Sequence, residues 1–116
     1  MQPFVHLHSH TEFSLLDGIS RLPDMVRRAK ELNQPALAIT DHGNMYGFLE
    51  YYKGMNKAGK HPIIGFEGYM ENMSGELDGN HVILLAKNDV GYKNLLKLTS
   101  ESFEHFRTKP HVTWDM

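Results

Sequence analysis

The sequence predicts an α/β fold in which short strands alternate with amphipathic helices. Three segments carry apolar residues at helical spacing, and four short apolar runs have the length of strands. Residues that favour turns, mainly Gly, Pro, Asn and Asp, separate these segments. At 116 residues the chain is long enough for one domain with a modest core of its own.

The first half of the chain contains two predicted strands and one helix. Pro3–His8 has the composition of a short strand, and Asp17-Gly18 indicates a turn in the loop that follows it. Residues 22–32 are predicted to form a helix, because apolar side chains recur on one face. Residues 35–40 are apolar without alternation, which is typical of a strand buried on both faces of a parallel sheet.

The second half repeats this alternation and ends in a helix. A helix is predicted over residues 47–58, followed by a strand over 61–67. The polar, glycine-containing segment 71–80 indicates a turn or hairpin that leads into a strand over 81–86. A last amphipathic helix is predicted over 91–100. The predicted order is therefore β, α, β, α, β, β, α.

The segment His6-Leu7-His8-Ser9-His10 sets imidazoles at every second position. Because successive side chains of a strand face opposite sides, this spacing places the three histidines on one face, which suits metal ligation. An exposed polar strand face, or the remnant of an affinity tag, explains the same spacing equally well. Further ligands are needed to separate these interpretations.

Further ligand candidates follow the other predicted strands. Asp41 and His42 come directly after the second strand, and Glu67 ends the third. Since the carboxyl ends of parallel strands meet at one rim, these side chains are expected to converge with the first histidines. His81 opens its strand, and its position alone leaves it either at this rim or in solvent. The remaining histidines are predicted to lie on the surface: His61, His105 and His111.

Composition limits the chemistry that such a site can perform. The chain has no cysteine, which excludes thiolate ligands, whereas imidazole and carboxylate suit zinc, manganese or iron. The net charge of −2 gives no general sign of a nucleic-acid partner. Phosphate-binding glycine loops and a nucleophile elbow are also missing from the sequence. Ser9 and Ser14 leave a hydroxyl nucleophile open, although no oxyanion-hole pattern accompanies them.

A glutamate at this rim suits a bridging role. Glu67 would hold two ions about 3.5 to 4 Å apart, an arrangement that supports phosphoester hydrolysis.

Without a secretory signal or an apolar run approaching about 20 residues, the sequence also predicts a cytoplasmic rather than a membrane protein.

Several segments together resemble the opening of the polymerase and histidinol phosphatase (PHP) domain family. The resemblance is closest to the version at the N-terminus of the bacterial DNA polymerase III alpha subunit, and it spans nearly the whole chain. The segments that carry it are 6–18, 36–47 and 60–67, continued by 81–88, 91–95 and 109–115.

The resemblance implies a distorted (β/α)7, TIM-like barrel whose rim holds up to three divalent ions, often zinc or manganese. It implies catalytic roles for Glu67 and His42. Asp41 is expected to contact a ligand imidazole and orient it without binding metal itself. His6 is also expected outside the ligand set, and a histidine at this position is commoner in the polymerase branch of the family. The metal ligands that it implies are His8, His10, Asp17, His42, Glu67 and His81.

A family domain is more than twice this length, so residues 1–116 are interpreted as one unit, the N-terminal first half of the barrel. The later metal motifs are absent from it. Half a barrel exposes sheet edges and apolar surface, which predicts a homodimer of the isolated fragment and impaired activity.

The resemblance implies a metal-dependent phosphoesterase or 3′-5′ exonuclease within a DNA-directed DNA polymerase, whose partners are DNA and other replicase subunits. Two alternatives remain at this stage. One is a small-molecule phosphatase of the same family, such as one acting on histidinol phosphate. The other is a module whose site is vestigial and whose role is structural.

Overall fold

The structure, a computed structural model, describes residues 3–74 and 80–116. It confirms the mixed α/β class. The elements follow the order α1 (Leu22–Glu31), β1 (Ala36–Ile39), α2 (Phe48–Lys57), β2 (His61–Met70), β3 (Asn80–Leu85) and α3 (Asp89–Ser102), and a short 3₁₀ turn, Phe103–His105, ends α3. The predicted turn over 71–80 lies partly outside the described residues.

The three predicted helices are present, and only α3 differs appreciably in length. It begins at Asp89 rather than at Gly91, because the Asn88 side chain accepts a hydrogen bond from the Gly91 main-chain nitrogen at 3.0 Å. Asparagine is a favoured N-cap because its side-chain oxygen satisfies an unpaired N–H of the first turn. The glycine therefore lies inside the first turn instead of marking the boundary.

The three strands form one sheet in the order β1-β2-β3. β1 and β2 are parallel, with Ala38 opposite Ile63, whereas β2 and β3 are antiparallel, with Tyr69 opposite His81. All four residues of β1 are buried, as the continuous apolar run predicts. The antiparallel pairing of β2 with β3 confirms the hairpin interpretation and places His81 beside the carboxyl end of β2.

The predicted first strand, Pro3–His8, is not a regular strand. The segment lies along β1, where Ala38 N donates to His6 O at 2.9 Å and Thr40 N donates to Ser9 O at 2.8 Å. The step of two residues from Ala38 to Thr40 is thus matched by a step of three from His6 to Ser9, and the chain bends at Leu7 and His8. An extra residue of this kind breaks the alternation of side chains, as in a β-bulge.

The two faces of β2 have different roles. Ile64 and Phe66 point into the hydrophobic core, which is built with α1 and α2, whereas Glu67 and Tyr69 belong to the polar face shared with His81. This division follows from the two-residue period of a strand. The helices therefore cover one face of the sheet and leave the other to the candidate site.

The segment after α3 returns to the edge of β2 beyond the end of β1. Val112 N donates to Tyr69 O at 2.8 Å, and Glu71 N donates to Val112 O at 3.0 Å. This contact buries His111, which is only 3% exposed. The prediction that His111 lies on the surface is therefore wrong. His61 and His105 are exposed as predicted. Across residues 3–74 and 80–116, no helix has the length and apolar character needed to span a membrane.

Candidate metal centre

Glu67 lies at the centre of the candidate site. It lies inside β2 rather than at its end, because the strand continues to Met70 through pairing with β3. An isolated parallel bridge places Glu67 level with His42, just beyond β1. The residue is 2% exposed, so an ordinary surface acid does not describe it.

Four imidazoles surround the Glu67 carboxylate. His8 Nε2 and His81 Nδ1 each lie 3.2 Å from Oε1. His10 Nε2 lies 2.7 Å and His42 Nδ1 lies 2.8 Å from Oε2. These side chains come from three separate parts of the chain. The structure brings together His8, His10 and His42, which the sequence placed at one rim, and adds His81, whose strand position left it open.

Asp17 reaches the same site from the loop before α1. Its Oδ2 lies 2.5 Å from His42 Nε2, and the His10 and His42 rings lie 4.0 Å apart between centroids. Three overlapping groups have ligand atoms close enough together to hold an ion. They are His8, His10 and Glu67; His10, Asp17 and His42; and His42, Glu67 and His81.

The surroundings of Glu67 favour its charged form. Burial raises the pKa of this carboxyl, but positive charge on His42, a hydrogen bond from His10, and the charges on His10 and His8 outweigh burial and hold the pKa below its usual range. Among the described residues, all ion-pairing partners of Glu67 are imidazoles. The buried carboxylate is thus surrounded by imidazoles, and a neutral imidazole is itself a metal ligand.

One atom of the site is buried without a hydrogen-bond partner among the described residues. His42 Nδ1 lies near Glu67 Oε2 but is not aligned for a hydrogen bond with it. Buried polar atoms rarely lack a partner unless an ion, water or functional role accounts for them. A nitrogen-rich set with carboxylate oxygens fits zinc or a similar divalent ion, so the residues present fit a metal.

Asp41 differs from its expected role. Instead of touching an imidazole, its buried carboxylate accepts hydrogen bonds from Thr11 and from the Ser14 hydroxyl. The Ser14 oxygen in turn accepts from His42 N at 3.1 Å. Asp41 therefore fixes the loop that joins His10 to Asp17, and the Ser14 hydroxyl is committed to this network rather than free as a nucleophile.

His6 lies apart from the other histidines of its segment. Its ring makes an edge contact with Phe4 at 4.7 Å, and it belongs to none of the three metal-binding groups. The bend at residues 7 and 8 explains this separation, because it turns His6 away from the face that carries His8 and His10. The expectation of one face for all three histidines is therefore wrong for His6.

Tyr69 is a site residue that sequence reasoning missed. Its ring stacks on His42 at 5.9 Å and meets His81 edge-on at 5.2 Å. Burial, with the charges of Glu67 and Asp17, raises the pKa of its hydroxyl. Its position two residues after Glu67 on the same strand face was the signal that could have identified it.

The fold and the site together define a class: an α/β domain whose sheet carries a cluster of histidines and carboxylates suited to divalent metal ions. Within that class, the chain belongs to the PHP domain family, because the family model described as "PHP domain" matches residues 6–116.

Relatives of this chain include proteins named DNA polymerase III subunit alpha. The protein from Borreliella burgdorferi is 47% identical over 97% of this chain. The protein from Thermus aquaticus is 46% identical over 94% of it. In both comparisons the alignment covers 10% of the relative, so the chain spans about a tenth of the length of these proteins.

Solved structures show the same fold at low sequence identity. An amidohydrolase from Chromobacterium violaceum matches 86% of this chain and 34% of its own, with a TM-score of 0.61 and 21% identity. A putative metal-dependent phosphoesterase from Bifidobacterium adolescentis matches the same shares with a TM-score of 0.50 and 19% identity. In both cases the matched region is about a third of a larger chain.

Proposed function

We propose that this chain is the N-terminal part of the PHP domain of a DNA polymerase III alpha subunit and contributes a metal-dependent 3′-5′ exonuclease or phosphoesterase site. The observation that carries the proposal is the convergence of four imidazoles on the buried Glu67 carboxylate. The sequence identity of this chain to DNA polymerase III alpha subunits supports the replicase over a separate small-molecule phosphatase. DNA and other replicase subunits are the proposed partners, in the cytoplasm.

The proposed metal ligands are the six residues that form the three groups of the site: His8, His10, Asp17, His42, Glu67 and His81. Zinc or manganese suits this mixture of imidazole and carboxylate. When bound, such ions polarise phosphoryl oxygens and lower the pKa of water. His10, His42 and Glu67 each belong to two groups, and of these three Glu67 and His42 are the proposed catalytic residues.

The protein residues contribute orientation and shielding. Asp41 holds the loop that carries Asp17. The pairing of β2 with β3 sets His81 opposite Tyr69, which brings His81 Nδ1 to 3.2 Å from Glu67 Oε1. Burial of Glu67 removes water from one side of the centre and strengthens its interaction with cations. The open side, where His8 and His81 are about half exposed, remains for the phosphodiester.

We further propose that residues 1–116 form the first half of a distorted (β/α)7 barrel. In the described part of the chain β3 is the outer strand of the sheet, and its edge and exposed side chains such as Leu15, Leu16 and Ile19 would then face the second half. A free copy of the 116-residue chain is expected to dimerise through these surfaces and to be impaired in activity. Sedimentation that returns a compact monomer would contradict this dimer.

The test uses the full-length protein, stripped of metal and then supplied with zinc or manganese. Release of 3′-terminal nucleotides from 5′-labelled single-stranded DNA is measured for the wild type, His8→Ala, Glu67→Gln and the control His105→Ala. Nucleotide release should require metal, fall at least about a hundredfold in the first two variants, and persist in the control. Polymerase activity reports that each variant is folded.

Two results would overturn the proposal. One is metal-dependent nucleotide release by Glu67→Gln at the wild-type rate. The other is a wild-type protein that releases phosphate from histidinol phosphate but no nucleotide from DNA.

A further inference from the structure

We propose that Lys109 binds a phosphate group of the substrate at the side of the metal centre next to Tyr69. This inference rests on the proposed phosphoesterase function and adds a substrate-binding residue to it. Lys109 lies 42 residues beyond Glu67 in a segment without regular secondary structure, and it is the first residue of the segment 109–115 that contributes to the family resemblance.

Tyr69 connects the lysine to the metal centre. The Lys109 ammonium lies over the Tyr69 ring, with Nζ 4.6 Å from the ring centroid. The same ring stacks on His42 and meets His81 edge-on. A single aromatic ring thus separates the ammonium from two of the imidazoles proposed to hold ions. Lys109 thus lies beside the metal centre rather than in it, as expected of a residue that contacts a substrate phosphate but no ion.

The backbone around Lys109 is held in place from several directions. The Lys109 carbonyl accepts a hydrogen bond from Arg107 N at 3.2 Å and lies 2.8 Å from His111 Nδ1. The main-chain nitrogen of the buried His111 donates to Ser102 O at 3.1 Å. These contacts fix the start of the lysine side chain although its ammonium is in solvent.

Pro110 packs this segment against Gly43, the residue that follows the proposed ligand His42. A Cβ atom added at Gly43, directly after His42, would meet the Pro110 ring at 2.9 Å and the Tyr69 ring at 3.3 Å. The absence of a side chain at this position lets the Lys109 segment approach the centre closely. The position of the lysine relative to His42 therefore depends on packing rather than on a free loop.

The charge on Lys109 is available to a ligand. Within the described part of the chain, no carboxylate lies within ion-pairing distance of its ammonium, whereas Arg27 pairs with Asp24 and Glu31, and Lys97 pairs with Glu101. A lysine ammonium acts as a compact point charge with three donors, which suits phosphate oxygens. Its contact with an aromatic ring is compatible with that role, since cation–π attraction at an exposed site is weak.

The chemistry predicts an effect on binding more than on turnover. Lys109 holds no ion, so its loss leaves the metal groups intact and removes one charge-assisted contact to a non-bridging phosphate oxygen. A hydrogen bond to a charged group contributes on the order of a tenfold change in affinity. Lys109 is therefore a substrate-binding residue rather than a metal ligand.

The experiment compares full-length wild type, Lys109→Met, Lys109→Arg and the control Lys97→Met, all loaded with manganese. The probes are bis(p-nitrophenyl) phosphate as substrate and inorganic phosphate as competitive inhibitor. Lys109→Met should raise KM and the phosphate inhibition constant about tenfold, with kcat within about twofold and the metal content unchanged. Lys109→Arg should restore most of the binding, and Lys97→Met should match the wild type.

The outcomes separate the two proposals. If the wild type binds manganese but does not hydrolyse the diester, the phosphoesterase function fails and this inference fails with it. If the wild type is active and Lys109→Met has the same KM and phosphate inhibition constant, the role of Lys109 alone is overturned. A fall in metal content in Lys109→Met would also overturn it, because it would indicate a structural role.

Discussion

The buried carboxylate of Asp41 accepts hydrogen bonds from both the main-chain nitrogen and the hydroxyl of Thr11, which is 30 residues earlier in the chain. The N···O distance is 2.6 Å and the O···O distance is 2.8 Å. Thr11 directly follows His10, and Asp41 directly precedes His42. This pair therefore sets the distance between two proposed ligands without touching a metal.

We predict that Asp41→Asn destabilises the fold. The asparagine amide nitrogen cannot accept a hydrogen bond, so one of the buried donors on Thr11 or Ser14 would lose its partner. The expected loss in the free energy of unfolding is about 1 to 3 kcal/mol, measured by urea denaturation of the metal-free protein.

Asp24→Asn is the matched control for this change. Asp24 is exposed and, among the described residues, pairs only with Arg27 on the same helix, so its replacement should cost less than about 0.5 kcal/mol. Equal stability of Asp41→Asn and Asp24→Asn would show that the buried network contributes little.

The sharing of ligands among the three groups predicts a pattern of metal loss. Asp17 and His81 each belong to one group, whereas Glu67 belongs to two. Asp17→Asn and His81→Ala are therefore each expected to lose no more than one ion relative to the full-length wild type. Glu67→Gln should lose more, because it weakens two groups and leaves imidazoles without a carboxylate between them.

Equilibrium dialysis followed by elemental analysis measures this pattern for zinc and manganese separately. His105→Ala, which removes an exposed histidine outside the groups, should keep the wild-type content. Identical metal content in Asp17→Asn, His81→Ala and Glu67→Gln would be incompatible with overlapping groups.

Much of this arrangement was predictable from periodicity and strand order. The buried run before Asp41 and the polar residues after it placed His42 at a rim, and the position of Glu67 one strand later followed from the same rule. The bend at His8 was not predictable, because the number of residues opposite β1 depends on tertiary pairing. The burial of His111 also depends on a distant strand, β2, which no local pattern reveals.

Gly18 provides a further test, since it lies where two parts of the ligand loop approach closely. A Cβ at Gly18 would lie 1.9 Å from the main-chain oxygen of Thr11, too close for any side chain. Gly18→Ala must therefore displace Thr11 or Asp17, and it is expected to cost about 1 to 3 kcal/mol of stability. It should also weaken metal binding, because Asp17 is the adjacent residue.

Gly91→Ala separates this steric effect from the general effect of replacing glycine. Gly91 is inside α3, and a Cβ there would meet its nearest neighbour at an ordinary 3.6 Å. Alanine favours a helix over glycine by up to about 1 kcal/mol, so this variant should be at least as stable as the wild type. Thermal unfolding of the two variants with bound metal checks the comparison, and a stable Gly18→Ala protein would contradict the close approach.

Metal should stabilise the folded protein, because the groups that bind it come from distant parts of the chain and meet only after folding. His10, His42 and Glu67 lie in three separate segments, so the unfolded chain offers no equivalent site. An ion present at about 100 times its dissociation constant would then add about 2.7 kcal/mol to the free energy of unfolding.

Removal of the ion by EDTA should reverse this gain in stability. Acidification to about pH 5 should reduce it, since protonated imidazoles cannot bind an ion. The gain should be smaller in Glu67→Gln, which weakens two of the three groups, but unchanged in His105→Ala. Calorimetry with and without zinc measures these differences, and an equal zinc response in both variants would place the stabilising site elsewhere.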